Sequence, residues 1–517
     1  MITGILSADP EGPLFRSAME DLQNEARLYD VHKNISDSNL PQVHALNCLR
    51  AIFVHTKLGQ VSERYIAAGL DLAAGRLESD VWAIRNCGLM LFRALIDRLL
   101  GNTDVQNPAD EPYTMKVSQI SYESHPNLLD ILVKLLQPKT KQGDLLSTSA
   151  VEGVFPALLI LQRAIPPAES LEAIRNLVLR LSGSPHWYLR DMAARTYAEL
   201  LKGGDYVEAV RGLRNKPYVS HNQLHGTLLS IHYIVKMKAQ ETYLDSSNTI
   251  QILYDIMQDW YSKDFTGHRC CAFTKAACLD VLSSCATACF SSQALDTATK
   301  PTMSLHEDFS ALCSRKDHGD SSSTWAEQSS LRKSLSVCYV LQECFASPNK
   351  LGMVSALSMA LKELDSDTCC AVLEALNRLA TSSTFRPEKE FHLPVTEALC
   401  SFSSVCKGKD SRVRSTALGV LSSLLHTHEW LTNSDGLANL VLPRLQEMDN
   451  DNSPSSMLEN TLSLWGISID KRLSARGGWS VELVEEFADL IRTIKASLNE
   501  RNVSLTPLLN VPVLLLK

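Results

Sequence analysis

The chain has 517 residues, of which 45% are hydrophobic, 21% charged and 6% aromatic, and it carries a net charge of −8 with a pI near 6.0. That is ample core material. The acidic balance excludes the broadly basic character of a dedicated nucleic-acid domain but leaves room for a local basic patch, and the sparse aromatics argue against a stacking platform for single-stranded RNA.

Fourteen cysteines without regular spacing read as reduced thiols inside a cell. No apolar run approaches the roughly 20 residues of a membrane span. The first fifteen residues lack the basic-then-apolar order of a secretory signal. A soluble, cytoplasmic chain without membrane contact is expected.

In chain order, helices are expected at Leu14–Leu28, from Pro41 through PQVHALNCLRAIFVHTKL, at 59–76, and at Asp80–Gly101. The last of these, DVWAIRNCGLMLFRALIDRLLG, is the most informative stretch. Asp80 stands where an N-cap belongs and Gly101 where a C-cap glycine belongs. Val81, Ile84, Gly88, Leu91, Leu95 and Leu99 share one helical face, and Trp82, Leu89 and Ile96 form a second apolar stripe. A helix apolar on two sides is packed between neighbours in a layered stack. On that reasoning Trp82, and later Trp187 and Tyr188, belong to the core.

Asn102–Asn127 reads as a long loop with a short helix near Lys116. Further helices are expected at Leu128–Leu136, Ser149–Ile165, Ser170–Leu181, His186–Leu201, Tyr206–Arg214, Ser220–Lys238, Asn248–Trp260 and His268–Phe290. Residues 291–323 are rich in Ser, Thr and Asp without a period and read as a disordered or mobile loop. Helices resume at Thr324–Phe345 and recur to Asn499, and residues 501–517 form an apolar tail. The expected organisation is a repeat region over 1–290, the loop, and a second repeat region over 324–500.

No useful length of chain alternates like a strand. Helices of ~12–20 residues joined by short turns predict an all-α fold, a HEAT/armadillo-type α-solenoid. A degenerate repeat supports it. Arg85–Gly88, Arg190–Ala193 and Arg414–Ala417 each set a small residue three after an arginine, each behind a polar turn carrying Asp80, Ser184 or Asp410.

No phosphate-cradling glycine loop and no nucleophile-elbow motif occurs, and the strands a methyltransferase needs are missing. The chain reads as a non-enzyme with no cofactor. His221, His225 and His232 share a helical face, but His232 is roughly 10 Å along the axis from His225, so no metal site is expected. Cys271, Cys278, Cys285 and Cys289 run along one stripe instead of converging, and read as buried thiols. The polar segment with functional character is Arg211, Arg214 and Lys216 leading into SHNQLHG. Cations followed by His221, Asn222 and His225 at a helix N-terminus suit phosphate contact, which makes these six the candidate phosphate contacts.

The wording W-A-I-R-N-C-x-L-M-L-F-R-A-L-x-D-R-L-x-G closely resembles the thyroid adenoma-associated protein family. Pro41–Phe53, Pro185–Ala194 and Ser220–Leu229 resemble it in the same order. The resemblance implies a HEAT-type solenoid without a catalytic site of its own. It also implies a 2′-O-ribose methyltransferase subunit as partner, tRNA as ligand, and support of ribose methylation at nucleotide 32 of the anticodon loop. The family's R-R-S-A-G-x-P stretch falls upstream of a segment like Ile2–Leu6, so the chain reads as a C-terminal piece. The rival expectation is a helical protein–protein scaffold without an RNA role.

Overall fold

The computed structural model describes residues 2–28, 40–100, 127–137, 153–240, 246–265, 271–291, 303–314, 325–346 and 364–380, with isolated positions at 122, 125, 356–360 and 412–423. Among the described residues every regular element is helical. The chain divides into two compact units, residues 1–237 and 238–517.

The first unit contains α1 (Ile2–Leu6), α2 (Pro13–Arg27), α3 (Pro41–Val54), α4 (Ile66–Arg76), α5 (Trp82–Leu100), α6 (Leu128–Leu136), α7 (Val154–Arg163), α8 (Ala168–Leu181), α9 (Trp187–Glu199), α10 (Tyr206–Asn215) and most of α11 (His221–Gln240). α2 and α3 both open with proline, whose missing N–H has no partner in a first turn. Residues 59–76, expected as one helix, are broken into short α and 3₁₀ turns before α4 begins at Ile66.

Two layers organise this unit. α3, α5, α7 and α9 pack in succession as one row, and α4, α6 and α8 as the other. Each second-row helix pairs with the helix that follows it, which is the hairpin repeat of an α-solenoid. Ile84, Leu91, Phe92 and Leu95 of α5 and Leu189, Ala193 and Ala194 of α9 are fully or almost fully buried between the rows. Each large apolar side chain so buried contributes about 1.5–3 kcal/mol.

The small residue of the repeat does what its position predicts. A Cβ on Gly88 would stand 2.9 Å from the Arg76 Cβ, so α4 and α5 approach more closely than a larger residue allows. In the third copy Arg414 lies outside the described residues, while Val413 and Ala417 are buried as their counterparts are.

The second unit contains the end of α11, then α12 (Ser246–Trp260), a π turn at Tyr261–Phe265, α13 (Ala272–Ser291), α14 (Met303–Ser314), α15 (Trp325–Ala346) and α16 (Ser366–Ala380). α13 packs on α12, α15 and α16. α14 falls inside the stretch expected as a loop. Its polar composition hides Leu305 and Phe309, which are four apart and fully buried, and Phe309 stacks on Tyr339 of α15. Cys278 and Cys285 are buried, as their stripe suggests. Most of the region expected as C-terminal repeats, and the apolar tail, lie outside the described residues, as do Gly101 and the short helix near Lys116.

Candidate nucleic-acid interface

The turns that open α5 and α9 are built alike. Ser79 Oγ accepts from the N–H of Val81 at 3.2 Å, and Ser184 Oγ accepts from the N–H of His186 at 3.2 Å. Arg85 Nη1 donates to the carbonyls of Ser79 and Asp80 at 2.9 and 3.0 Å. Arg190 Nη1 donates to those of Ser184 and Pro185 at 2.7 and 3.0 Å. Each arginine thus folds back and ties the interhelical turn to its own helix. Asp80 is not the N-cap: α5 starts at Trp82, Ser79 carries the turn's side-chain acceptor, and Asp80 offers only its carbonyl.

Trp82, Trp187 and Tyr188, expected in the core, are 66%, 50% and 76% exposed. The physical reason is register. The buried stripe begins at Ile84 and Leu189, and the aromatic residues before it sit in the first turns of α5 and α9, open to solvent. The rings of Trp187 and Tyr188 meet edge to face, 5.3 Å between centroids.

α10 is capped by Asp205, whose side chain accepts from the Glu208 N–H at 3.0 Å. Arg211 and Arg214 lie toward its C-terminal end and Lys216 is its C-cap residue, where positive charge suits the helix dipole. Arg211 and Lys216 are exposed and Arg214 is half-buried. The chain then turns through Tyr218 and Val219 into α11. Ser220 Oγ accepts from the Gln223 N–H at 3.2 Å while Gln223 Oε1 accepts from the Val219 N–H at 3.0 Å, a reciprocal cap.

α11 docks on the α8–α9 turn. A Cβ on Gly226 would stand 1.7 Å from the Ser182 carbonyl oxygen, so only glycine lets the helix approach here. Further along, the Tyr233 hydroxyl donates to Asp191 Oδ1 at 2.7 Å and accepts from Arg195 Nε at 2.9 Å, and Arg195 pairs with Asp191 at 2.9 Å. That closed triad joins α9 to α11 and consumes the Arg195 charge within the fold.

The six predicted contacts separate on this scaffold. Arg211, Lys216 and His221 are exposed, and Asn222 and Arg214 are partly so. His225 points inward. Its Nδ1 is buried without a hydrogen-bond partner, and burial together with the Arg190 charge pushes its pKa down to about 4. Ser220, Gln223 and Gly226 of the SHNQLHG segment are architecture. His232 is half-buried and lies edge to face with the Tyr233 ring. Lys134 of α6 pairs with Glu78 at 3.5 Å.

Residues 1–83 match the family model described as THADA/TRM732, DUF2428, and residues 85–234 match that of the C-terminal TPR repeats of Trm732. This part of the chain belongs to the THADA/TRM732 family. The chain is 30% identical over 262 residues to the chicken (Gallus gallus) protein named tRNA (32-2′-O)-methyltransferase regulator THADA, covering 47% of this chain and 14% of that protein. It is 27% identical over 302 residues to the Schizosaccharomyces pombe protein named tRNA (32-2′-O)-methyltransferase regulator trm732, covering 55% of this chain and 20% of that one. The chain therefore spans no more than about a fifth of these relatives' length. A crystal structure of importin beta, 12% identical, aligns with a TM-score of 0.53 over 93% of this chain and 60% of its own, a likeness of fold alone. The all-α solenoid reading stands, with the family description naming its repeats TPR.

The exposed aromatics are what the sequence reading missed. One signal was available: Trp82 and Trp187 both precede the buried-face register by two residues.

Proposed function

We propose that this chain is a non-catalytic, cytoplasmic part of a regulator of tRNA 2′-O-ribose methylation at nucleotide 32. It engages tRNA and presents it to a partner methyltransferase subunit. The observation that carries the reading is the coincidence of two matches. Residues 1–234 carry both domain types of proteins named as regulators of that reaction, and within them the exposed Arg211, Lys216 and His221 gather where α10 turns into α11. An acidic chain that holds a carboxylate-free cationic turn suits a local phosphate contact. Arg214 and Asn222, both partly exposed, flank the exposed three.

Two measurements test this. Cells lacking the gene should lose ribose methylation at nucleotide 32 and keep it elsewhere in the anticodon loop, and unchanged methylation at nucleotide 32 refutes the role. In vitro, Arg211, Arg214 and Lys216 replaced together by glutamine should weaken tRNA binding and flatten its log–log salt slope by about 2–3. Binding with unchanged affinity and slope refutes the contact assignment and favours a purely protein-binding scaffold.

A further inference from the structure

We propose that the edge formed by the first turns of α9 and α11 is a stacking platform for unpaired RNA nucleotides, with Trp187 and Tyr188 receiving the bases. The proposal rests on the tRNA-binding reading above and deepens it by naming the part of an RNA that this edge accepts.

Four observations carry it. First, Trp187, Tyr188, Tyr218 and Val219 are all exposed, and they lie in segments brought side by side. Gln223, which holds the Val219 N–H, packs within 3.5 Å of the position a Gly183 Cβ would take, in the turn that leads to Trp187. Second, the surroundings are cationic. Neither Arg180–Arg190 nor Lys216–Gly226 contains an aspartate or glutamate, and Asp191, one turn beyond the rings, is held by Arg195 and Tyr233, whereas Arg180, Lys216 and His221 are exposed there. Third, the platform is held rigid. The Arg190 fork, the Ser220–Gln223 cap and the close approach of Gly226 to Ser182 fix the backbone beneath the rings before anything binds. Fourth, the rings stand in the first turn of α9, at a helix end, where both are exposed.

Flat apolar faces set among cations match one ligand chemistry closely: a base for the ring and a phosphate for the charge. A duplex offers the phosphates but keeps its bases stacked on one another. An apolar protein surface accounts for the rings but leaves the cationic surroundings without a purpose. Trp82 supplies an internal contrast. It occupies the equivalent position on α5 and is equally bare, but the exposed Asp80 precedes it by two residues, whose charge repels a phosphate backbone, while Glu78 is paired with Lys134.

The test uses the full chain and a fluorescently labelled single-stranded RNA oligonucleotide, with a blunt duplex of the same sequence for comparison. Wild type should bind the single strand more tightly than the duplex and show tryptophan quenching. Replacing Trp187 and Tyr188 together by leucine should weaken single-strand binding about ten-fold or more while leaving the salt slope unchanged. Trp187→Phe with Tyr188→Phe should restore most of the binding, which separates stacking from misfolding. Trp82→Leu should change nothing.

Single-strand binding untouched in the double leucine variant overturns the platform while leaving tRNA binding intact. Failure of wild type to bind any RNA overturns both readings. Loss of methyltransferase capture with unchanged RNA affinity in the double leucine variant reassigns the edge to a protein and overturns the proposal.

Discussion

Two glycines in neighbouring helices should respond to alanine in opposite directions. Gly226 of α11 faces the end of α8, where a Cβ would sit 1.7 Å from the Ser182 carbonyl oxygen, 2.5 Å from its carbon and 3.1 Å from the Ser182 Cβ. The nearest atoms are backbone, so no rotamer change relieves the contact, and α11 must retreat by more than an ångström. Retreat loosens Leu228 and Ile231, which are fully buried. Overpacking of this kind costs about 3 kcal/mol or more. Alanine's better helix propensity returns about 1 kcal/mol. Gly226→Ala should therefore destabilise the first unit by about 2 kcal/mol or more. Gly212 of α10 has nothing within 4 Å of its would-be Cβ. There the propensity gain acts alone, and Gly212→Ala should stabilise by about 0.5–1 kcal/mol. Urea unfolding of the full chain, followed by far-ultraviolet circular dichroism, reads both as midpoint shifts. A Gly226→Ala midpoint at or above wild type refutes the close docking of α11 on the α8–α9 turn, and with it the geometry of the candidate interface.

Other consequences follow from the same packing. His225 stays neutral in the fold down to about pH 4, while in the unfolded chain it takes up a proton near pH 6.5. The unfolded state then binds more protons, so stability should fall as the pH drops from 6.5 toward 4, by at most about 3 kcal/mol. His225→Gln should flatten that part of a stability-versus-pH curve, and an unflattened curve assigns the acid sensitivity elsewhere. Arg190→Ala removes two hydrogen bonds from a charged donor to the turn carbonyls and should cost about 2–4 kcal/mol, read as a midpoint loss that a matched Arg180→Ala on the surface does not show. Ser220→Ala should cost about 1 kcal/mol through loss of the α11 cap, and an unchanged midpoint contradicts the capping geometry. In native-state alkylation followed by peptide mapping, the half-buried Cys48 and Cys271 should react before the buried Cys278, Cys285 and Cys338. Burial pushes the Cys338 thiol up to about 12, so early labelling there refutes the packing of α13 against α15.

Helical periodicity alone was enough to place most of the described helices and to predict a solenoid, because each helix must bury one stripe and the stripe recurs every 3–4 residues. The Ser220 cap, the short turn before α9 and the small residue after each repeat arginine were legible for the same local reason. Where the sequence reading went astray, the deciding contact was remote. Trp82 and Trp187 align on a helical wheel with apolar residues later in their helices, so their two-residue offset from Ile84 and Leu189 was the one local hint, and whether a first turn is covered depends on the neighbouring helix. α14 was hidden in a polar stretch because its helix rests on two residues, Leu305 and Phe309, that become informative only once α15 is beside them. The SHNQLHG segment shows both sides. Its residue types marked it as unusual, but only the tertiary structure sorted Ser220 and Gln223 into a cap, Gly226 into a contact with Ser182, His225 into the interior beside Arg190, and His221 onto the exposed edge. Local chemistry determined which elements form. The ends and crossings of helices distant in sequence decided which of their side chains are left to meet a ligand.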